Sequence, residues 1–113
     1  MSKVIDISGM LTNERPTIKL AEDKIYEVDD SKNTVLKFEL AIEKKDLSEI
    51  GAMDELIAMT LGKKAAKEID DMNLSLSAYQ PIIIAIMAAL SKESFEDTEA
   101  RFRKEAGLQR GLV

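Results

Sequence analysis

The chain of 113 residues contains no cysteine and no histidine. Without cysteine there are no disulfides and no thiolate nucleophiles, and a cysteine-free chain is typical of a reducing cytoplasm. The two side chains that bind structural zinc are both missing, and so is the most frequent general base of enzymes. We therefore expect no catalytic residue, no metal site and no cofactor, and we interpret the chain as a binding protein, not an enzyme.

Tryptophan is also absent and aromatic residues make up only 4% of the chain, so the core must be aliphatic. Basic residues are in deficit, with 16 Lys and Arg against 21 Asp and Glu and a net charge of -5. Sequence-independent binding of nucleic acid depends on neutralising phosphates with Lys and Arg. We therefore expect no nucleic-acid partner, and the length predicts a single domain over residues 1–113.

A long uncharged segment is the most informative feature that is present. Residues 72–91 carry no charged side chain, although 33% of the chain is charged. Only residues 82–90 are solidly apolar, which is too short for the span of about 20 residues that crosses a membrane. A helix that is apolar on every side must be covered on every side. Either this helix is the hub of the core, or another subunit covers part of it, and both alternatives remain open at this point.

The N-terminal quarter predicts an arm followed by a β-hairpin. Two short runs of β-forming residues, 17–20 and 25–28, flank a polar four-residue connection. That arrangement is typical of a hairpin, and Ile18 and Leu20 would share one face of it.

The next segment, residues 34–45, is compatible with both a strand and a helix. Apolar residues recur at every second position, as in a strand, at Leu36, Phe38, Leu40 and Ile42. The preceding Asp29-Asp30-Ser31 run offers helix N-caps, and the length suits a helix. We favour the helix.

Helical spacing of apolar residues predicts further helices over about 49–61, 63–72 and 95–106, besides the apolar helix. Gly62 is placed to stop or kink the helix over 49–61, with 63–72 continuing helically, and Gly107 is placed to end the last helix. The run Ser77-Ala78-Tyr79-Gln80 resembles a capping box, which would put Pro81 in the first turn of the apolar helix.

In the last predicted helix, Asp97 with Arg101 and Glu99 with Arg103 are spaced as i,i+4 ion pairs. The predicted fold class is α+β, mostly α-helical, with an N-terminal β-hairpin followed by about four helices. Residues 1–30 form the arm and hairpin, 31–106 the helical part and 107–113 a flexible tail.

Four segments together resemble the tail assembly chaperones of long-tailed bacteriophages and prophages of Gram-positive hosts. They are residues 25–37 (IYEVDDSKNTVLK), 61–69 (LGKKAAKEI), 72–80 (MNLSLSAYQ) and 95–103 (FEDTEARFR). The resemblance extends over most of the chain and rests on packing and capping patterns, not on chemical signatures.

This resemblance implies a non-enzymatic role in the cytoplasm of the bacterial host. Such chaperones bind the tape-measure protein and keep it soluble until the major tail protein polymerises around it, and they are absent from the mature virion. They also self-associate into rings or spirals. The partners expected are therefore the tape-measure protein, the major tail protein and further copies of the chain, with neither nucleic acid nor membrane.

For self-association, the residues expected are Ile83, Ile86 and Met87 of the apolar helix. For partner binding, they are Phe95 and Phe102. The alternative is that all five belong to the core. The alternative function is a structural tail completion or connector protein that is retained in the virion.

Overall fold

The computed structural model describes residues 3–11, 14–44 and 49–109, with side chains described as far as Lys104. Within these residues a two-stranded antiparallel hairpin precedes five α-helices, which confirms the predicted α+β, mostly helical fold class. The elements are β1 (Thr17–Ala21), β2 (Lys24–Glu27), α1 (Lys32–Lys44), α2 (Ile50–Leu61), α3 (Lys63–Asp71), α4 (Leu76–Ser91) and α5 (Phe95–Gln109).

The hairpin has the predicted position and faces. Ile18 lies opposite Tyr26 in the β1–β2 ladder and is buried, while Lys19 between it and Leu20 is exposed. The connection is two residues long, not four, because β1 extends to Ala21 and β2 begins at Lys24.

The ambiguous segment is a helix, α1, as favoured from its length and caps. A turn of 3.6 residues places Leu36 and Leu40 together on the exposed side, about half exposed, and turns Phe38 and Ala41 inward. Two of the four alternating apolar residues, Leu36 and Leu40, therefore lie on the outer face of the helix, so the alternation does not predict which residues are buried.

Gly62 separates α2 from α3, so the segment expected to continue helically past it forms two helices and the total among the described residues is five. Its φ of 94° and ψ of 160° lie in a region that glycine alone adopts readily. Its N–H donates to the carbonyl of Ala58, and its own carbonyl accepts from the N–H of Ala66. One residue thus ends one helix and begins the next.

The apolar helix α4 is the hub of the protomer's core. It packs against β1, α2 and α5. Six of its side chains are buried within the protomer, namely Tyr79, Ile82, Ile83, Ile84, Ile86 and Ala88.

The predicted start of α4 is wrong by about half a turn. The helix begins at Leu76 with Ser75 as N-cap, so Pro81 lies inside the helix and not in its first turn. Ser75 makes no side-chain capping bond to the backbone; its hydroxyl lies 3.1 Å from that of Ser77. The capping box is not formed because Ser77 is already helical.

The last helix begins as predicted, with Ser94 Oγ accepting the N–H of Asp97 at 3.1 Å. The Glu99–Arg103 pair forms at 3.1 Å. Arg101 does not pair with Asp97 but reaches back to Glu93 at 2.9 Å, tying α5 to the end of α4. The helix continues through Gly107 to Gln109, so the expected stop at Gly107 is wrong. The remainder of the expected tail, 110–113, lies outside the described residues.

Replacing Gly62 by alanine should lower the free energy of unfolding by about 1–3 kcal/mol, because a Cβ is strained at this φ even though nothing lies within 4 Å of it. The matched control is Gly51→Ala in α2, which also meets nothing within 4 Å. There the substitution should stabilise by about 0.5–1 kcal/mol, since alanine is the better helix former. Urea denaturation measures both, and equal effects of one sign would contradict the assignment of strain to Gly62.

Asp29 organises the start of α1. Its Oδ1 accepts the Ser31 N–H at 3.0 Å, and its Oδ2 accepts the hydroxyl of buried Thr34 at 2.8 Å. These hydrogen bonds, with the Arg15 guanidinium 3.7 Å away, lower the pKa of Asp29 despite the opposing effect of burial.

Asp29→Ala should therefore destabilise the protein by about 1–2 kcal/mol near pH 7. A lowered carboxyl pKa contributes stability above the unfolded-state value of 3.8, and that stability is lost as the pH falls through the lower folded-state value. The difference between wild type and variant should accordingly shrink in acid. Thermal unfolding measured from pH 7 to pH 3 tests this, and a difference that does not change with pH would contradict it.

Candidate functional site

An apolar groove of about 890 Å³ runs between β1 and α4. Its lining also includes Met72 and Leu74, which follow α3, and Phe95 at the start of α5. Its α4 side extends from Ala78 to Lys92, which at 1.5 Å per residue corresponds to a length of roughly 20 Å. A second cavity among the described residues is smaller, about 160 Å³.

The floor of the groove consists of small side chains on one face of α4. Ala78, Ile82, Ala85 and Ala89 are spaced by three or four residues and therefore share that face. Three of these four side chains end at Cβ, so the hairpin and α4 leave space between them. Larger residues would fill the groove, so its existence follows directly from these alanines.

The opposite wall is strand β1 with the residue before it. Five consecutive residues, 16–20, line the groove, so the groove follows the strand along its length. Among the described residues β1 has a neighbouring strand on one side only, since the sheet contains β1 and β2 alone.

The charged residues of the lining, Lys19, Lys92 and Glu93, are all held in ion pairs. Lys19 lies 3.1 Å from Glu22, and Lys92 reaches Asp30 at 2.9 Å. Glu93 pairs with Arg101. The remaining lining is largely aliphatic, with Phe95 and the hydroxyl of Thr17, so the groove suits an apolar occupant.

The residues predicted for self-association lie in the protomer's own core. Ile83 and Ile86 are 1% and 0% exposed, so in this structure they offer no surface to a second subunit. Met87 is half-buried and lines a smaller cavity of about 160 Å³ beside Phe38 and Leu90. Within the protomer, Ile83 and Ile86 are therefore core residues.

Of the residues predicted for partner binding, only Phe95 lies at the groove. It is 36% exposed and belongs to the lining. Phe102 is half-buried on α5 and does not line it. Sequence reasoning missed the floor of the groove, and the signal that could have found it is the helical spacing of Ala78, Ala85 and Ala89.

Both tyrosines have unusual surroundings. Tyr26 donates to Glu68 Oε1 at 2.9 Å, linking β2 to α3, and burial followed by this contact raises the pKa of Tyr26. Tyr79 is 5% exposed, and its pKa is raised by burial and then by the charges of Asp54 and Asp70. The two tyrosines and their acidic neighbours do not line the groove.

Within the described residues, no three His, Cys, Asp or Glu side chains form a group that could hold a metal ion.

No described helix is long and apolar enough to cross a membrane. In comparisons with known proteins, no family model, no curated protein and no solved structure matches this chain.

The carboxylate of Asp54 is expected to destabilise the folded protein near pH 7. Burial, and then the charge of Asp70, raise the pKa of Asp54 above its ordinary 3.8, so the ionised form is disfavoured in the folded state. Asp54→Asn should therefore increase the free energy of unfolding at pH 7. The gain should disappear below about pH 4, where the wild-type carboxyl is protonated too.

The control for this prediction is Asp71→Asn, because Asp71 pairs with Lys67 at 3.3 Å on the surface of α3. Loss of an exposed pair should lower stability by at most about 1 kcal/mol. Urea titrations at pH 7 and pH 3 compare the two variants. A less stable Asp54→Asn at pH 7 would show that this carboxylate makes a stabilising contact instead.

Proposed function

We propose that this chain is a non-enzymatic phage tail assembly chaperone that holds an apolar helical segment of the tape-measure protein in the groove between β1 and α4. The observation that carries the proposal is the groove, which has a volume of about 890 Å³. Its lining is largely apolar, and its charged residues lie in ion pairs. The resemblance of residues 25–37, 61–69, 72–80 and 95–103 to that family supplies the identity of the client.

The dimensions of the groove support an elongated occupant. A length of roughly 20 Å corresponds to nearly four helical turns. Amphipathic helices are recognised in such grooves through side chains spaced by three, four and seven residues. The alanines of α4 leave room for these side chains to approach its backbone closely. A long helical client with exposed apolar stripes would aggregate unless such stripes were covered.

The chemistry of the lining supports binding over catalysis. The titratable side chains along the groove are two lysines and one glutamate, each in an ion pair. A general acid or base needs an accessible group within reach of the reacting atom, usually with a matched pKa. The proposal places the protein in the cytoplasm of the bacterial host, acting before the tail is complete and absent from the virion.

The test is co-expression of the tagged chain with the tape-measure protein of the same tail gene cluster. Ala85→Arg should reduce the amount of soluble tape-measure protein that co-purifies by at least tenfold, because the arginine fills the floor of the groove. The matched control is Ala58→Arg on α2, another partly exposed alanine, which does not line the groove and should leave co-purification unchanged.

Purified phage particles, examined by mass spectrometry, provide the second readout. Absence of the chain from particles agrees with a chaperone. Its presence there, without co-purification of the tape-measure protein, would overturn the proposal in favour of a structural completion or connector protein.

A further inference from the structure

The N-terminal arm, residues 3–11, exposes apolar side chains that the rest of the protomer leaves uncovered. All nine residues are exposed, including five large apolar ones: Val4 at 85%, Ile5 at 82%, Ile7 at 51%, Met10 at 79% and Leu11 at 72%. The arm has local order, since Asp6 Oδ1 accepts the Ser8 N–H at 3.0 Å ahead of a 3₁₀ turn, Ser8–Met10. A patch of this kind on a small protein marks an interaction surface.

We propose that the arm of a second copy of this chain occupies the groove between β1 and α4. The arm would add as a strand along β1, on the side where β1 has no neighbouring strand among the described residues. Strand addition to a sheet edge provides main-chain hydrogen bonds, while pockets for alternate side chains fix the register. Residues 4–7 (VIDI) are mostly β-branched and suit an extended conformation.

The alternation of side chains in the arm matches the two faces of β1. In an extended arm Ile5 and Ile7 point to one side and Asp6 to the other. On β1, Ile18 is turned inward and buried while Lys19 is exposed on the opposite face. With both isoleucines over the alanine floor of α4, the carboxylate of Asp6 lies on the same face as the ammonium of Lys19. Opposite charges on neighbouring strands stabilise the pairing.

The contact buries the apolar side chains that face the groove. In an extended arm these are Ile5 and Ile7, and at roughly 100 Å² for each large aliphatic side chain they bury about 200 Å² of apolar surface. A reciprocal exchange of arms doubles this area. The arm of the same protomer is exposed in this structure, which leaves the groove to a neighbour's arm.

The arm and the client would compete for the same groove. This regulation of self-association by the client rests on the proposed function. The self-associated form would keep the apolar arm and groove covered until the client arrives. Binding of the client would then release the arms and dissociate the assembly. The contact between copies itself does not depend on the identity of the client, so it can be tested without one.

The absence of cysteine from the chain allows a direct test by single-cysteine crosslinking of the full-length protein. Ile5→Cys and Ala85→Cys are purified separately, mixed and oxidised. A disulfide requires Cα atoms within about 7 Å, so only an arm lying in the groove crosslinks efficiently. The mixture should give a band of dimer size on non-reducing gels, at least tenfold stronger than Ile5→Cys mixed with Ala58→Cys.

The double variant Ile5→Cys with Ala85→Cys distinguishes the two sources of the arm. Crosslinks between chains support the inference, whereas crosslinks only within one chain overturn it in favour of the protomer's own arm. If the crosslink between chains forms but the tape-measure protein does not co-purify, the proposed function is wrong and the contact between copies is still supported.

Sedimentation equilibrium provides an independent measurement. Ile5→Asp combined with Ile7→Asp should raise the dissociation constant of self-association at least tenfold. The control is Leu36→Asp combined with Leu40→Asp, since these residues are exposed too but lie on α1 and do not line the groove. A wild-type chain that stays monomeric at micromolar concentrations, or an equal effect of both pairs, would overturn the inference.

Discussion

The covering of α4 is the constraint on which the rest of the structure depends. A helix with no charged residue cannot face water along its length, so the other elements must surround it. The protomer achieves this with β1, α2 and α5, which leave Ile83 and Ile86 almost fully buried. The core around it is aliphatic, and packing of this kind loses stability whenever a buried methyl group is removed.

The cover is incomplete on one face, and the candidate site lies there. Where α4 carries Ala78, Ala85 and Ala89, the helix and strand β1 leave a groove instead of a filled interface. The same helix thus provides both the centre of the core and the floor of the candidate binding surface. Function by this groove would depend on shape and apolar area, not on a reactive group.

The arm and the groove both expose apolar surface to solvent. A protomer that leaves both uncovered would be prone to non-specific association. If the arm of one copy lies in the groove of another, both apolar surfaces are covered and no further residues are needed. A head-to-tail contact of this kind closes into a dimer or ring or continues as a filament, depending on the rotation between subunits. A client that enters the groove would replace the arm with a surface of similar character.

The sequence by itself determined the elements: the hairpin from its β-forming runs, the helix stop or kink at Gly62 and the start of the last helix near Phe95. These depend on local conformational preference and on hydrophobic patterning, which neighbouring residues encode. Only the tertiary structure decided that Ile83 and Ile86 face inward, that Arg101 pairs with Glu93 and not with Asp97, and that α4 begins early enough to enclose Pro81. The groove is also a feature that only the tertiary structure decided, because the space between β1 and α4 depends on how two distant segments pack. The spacing of alanines along one helix does not specify which element lies opposite them.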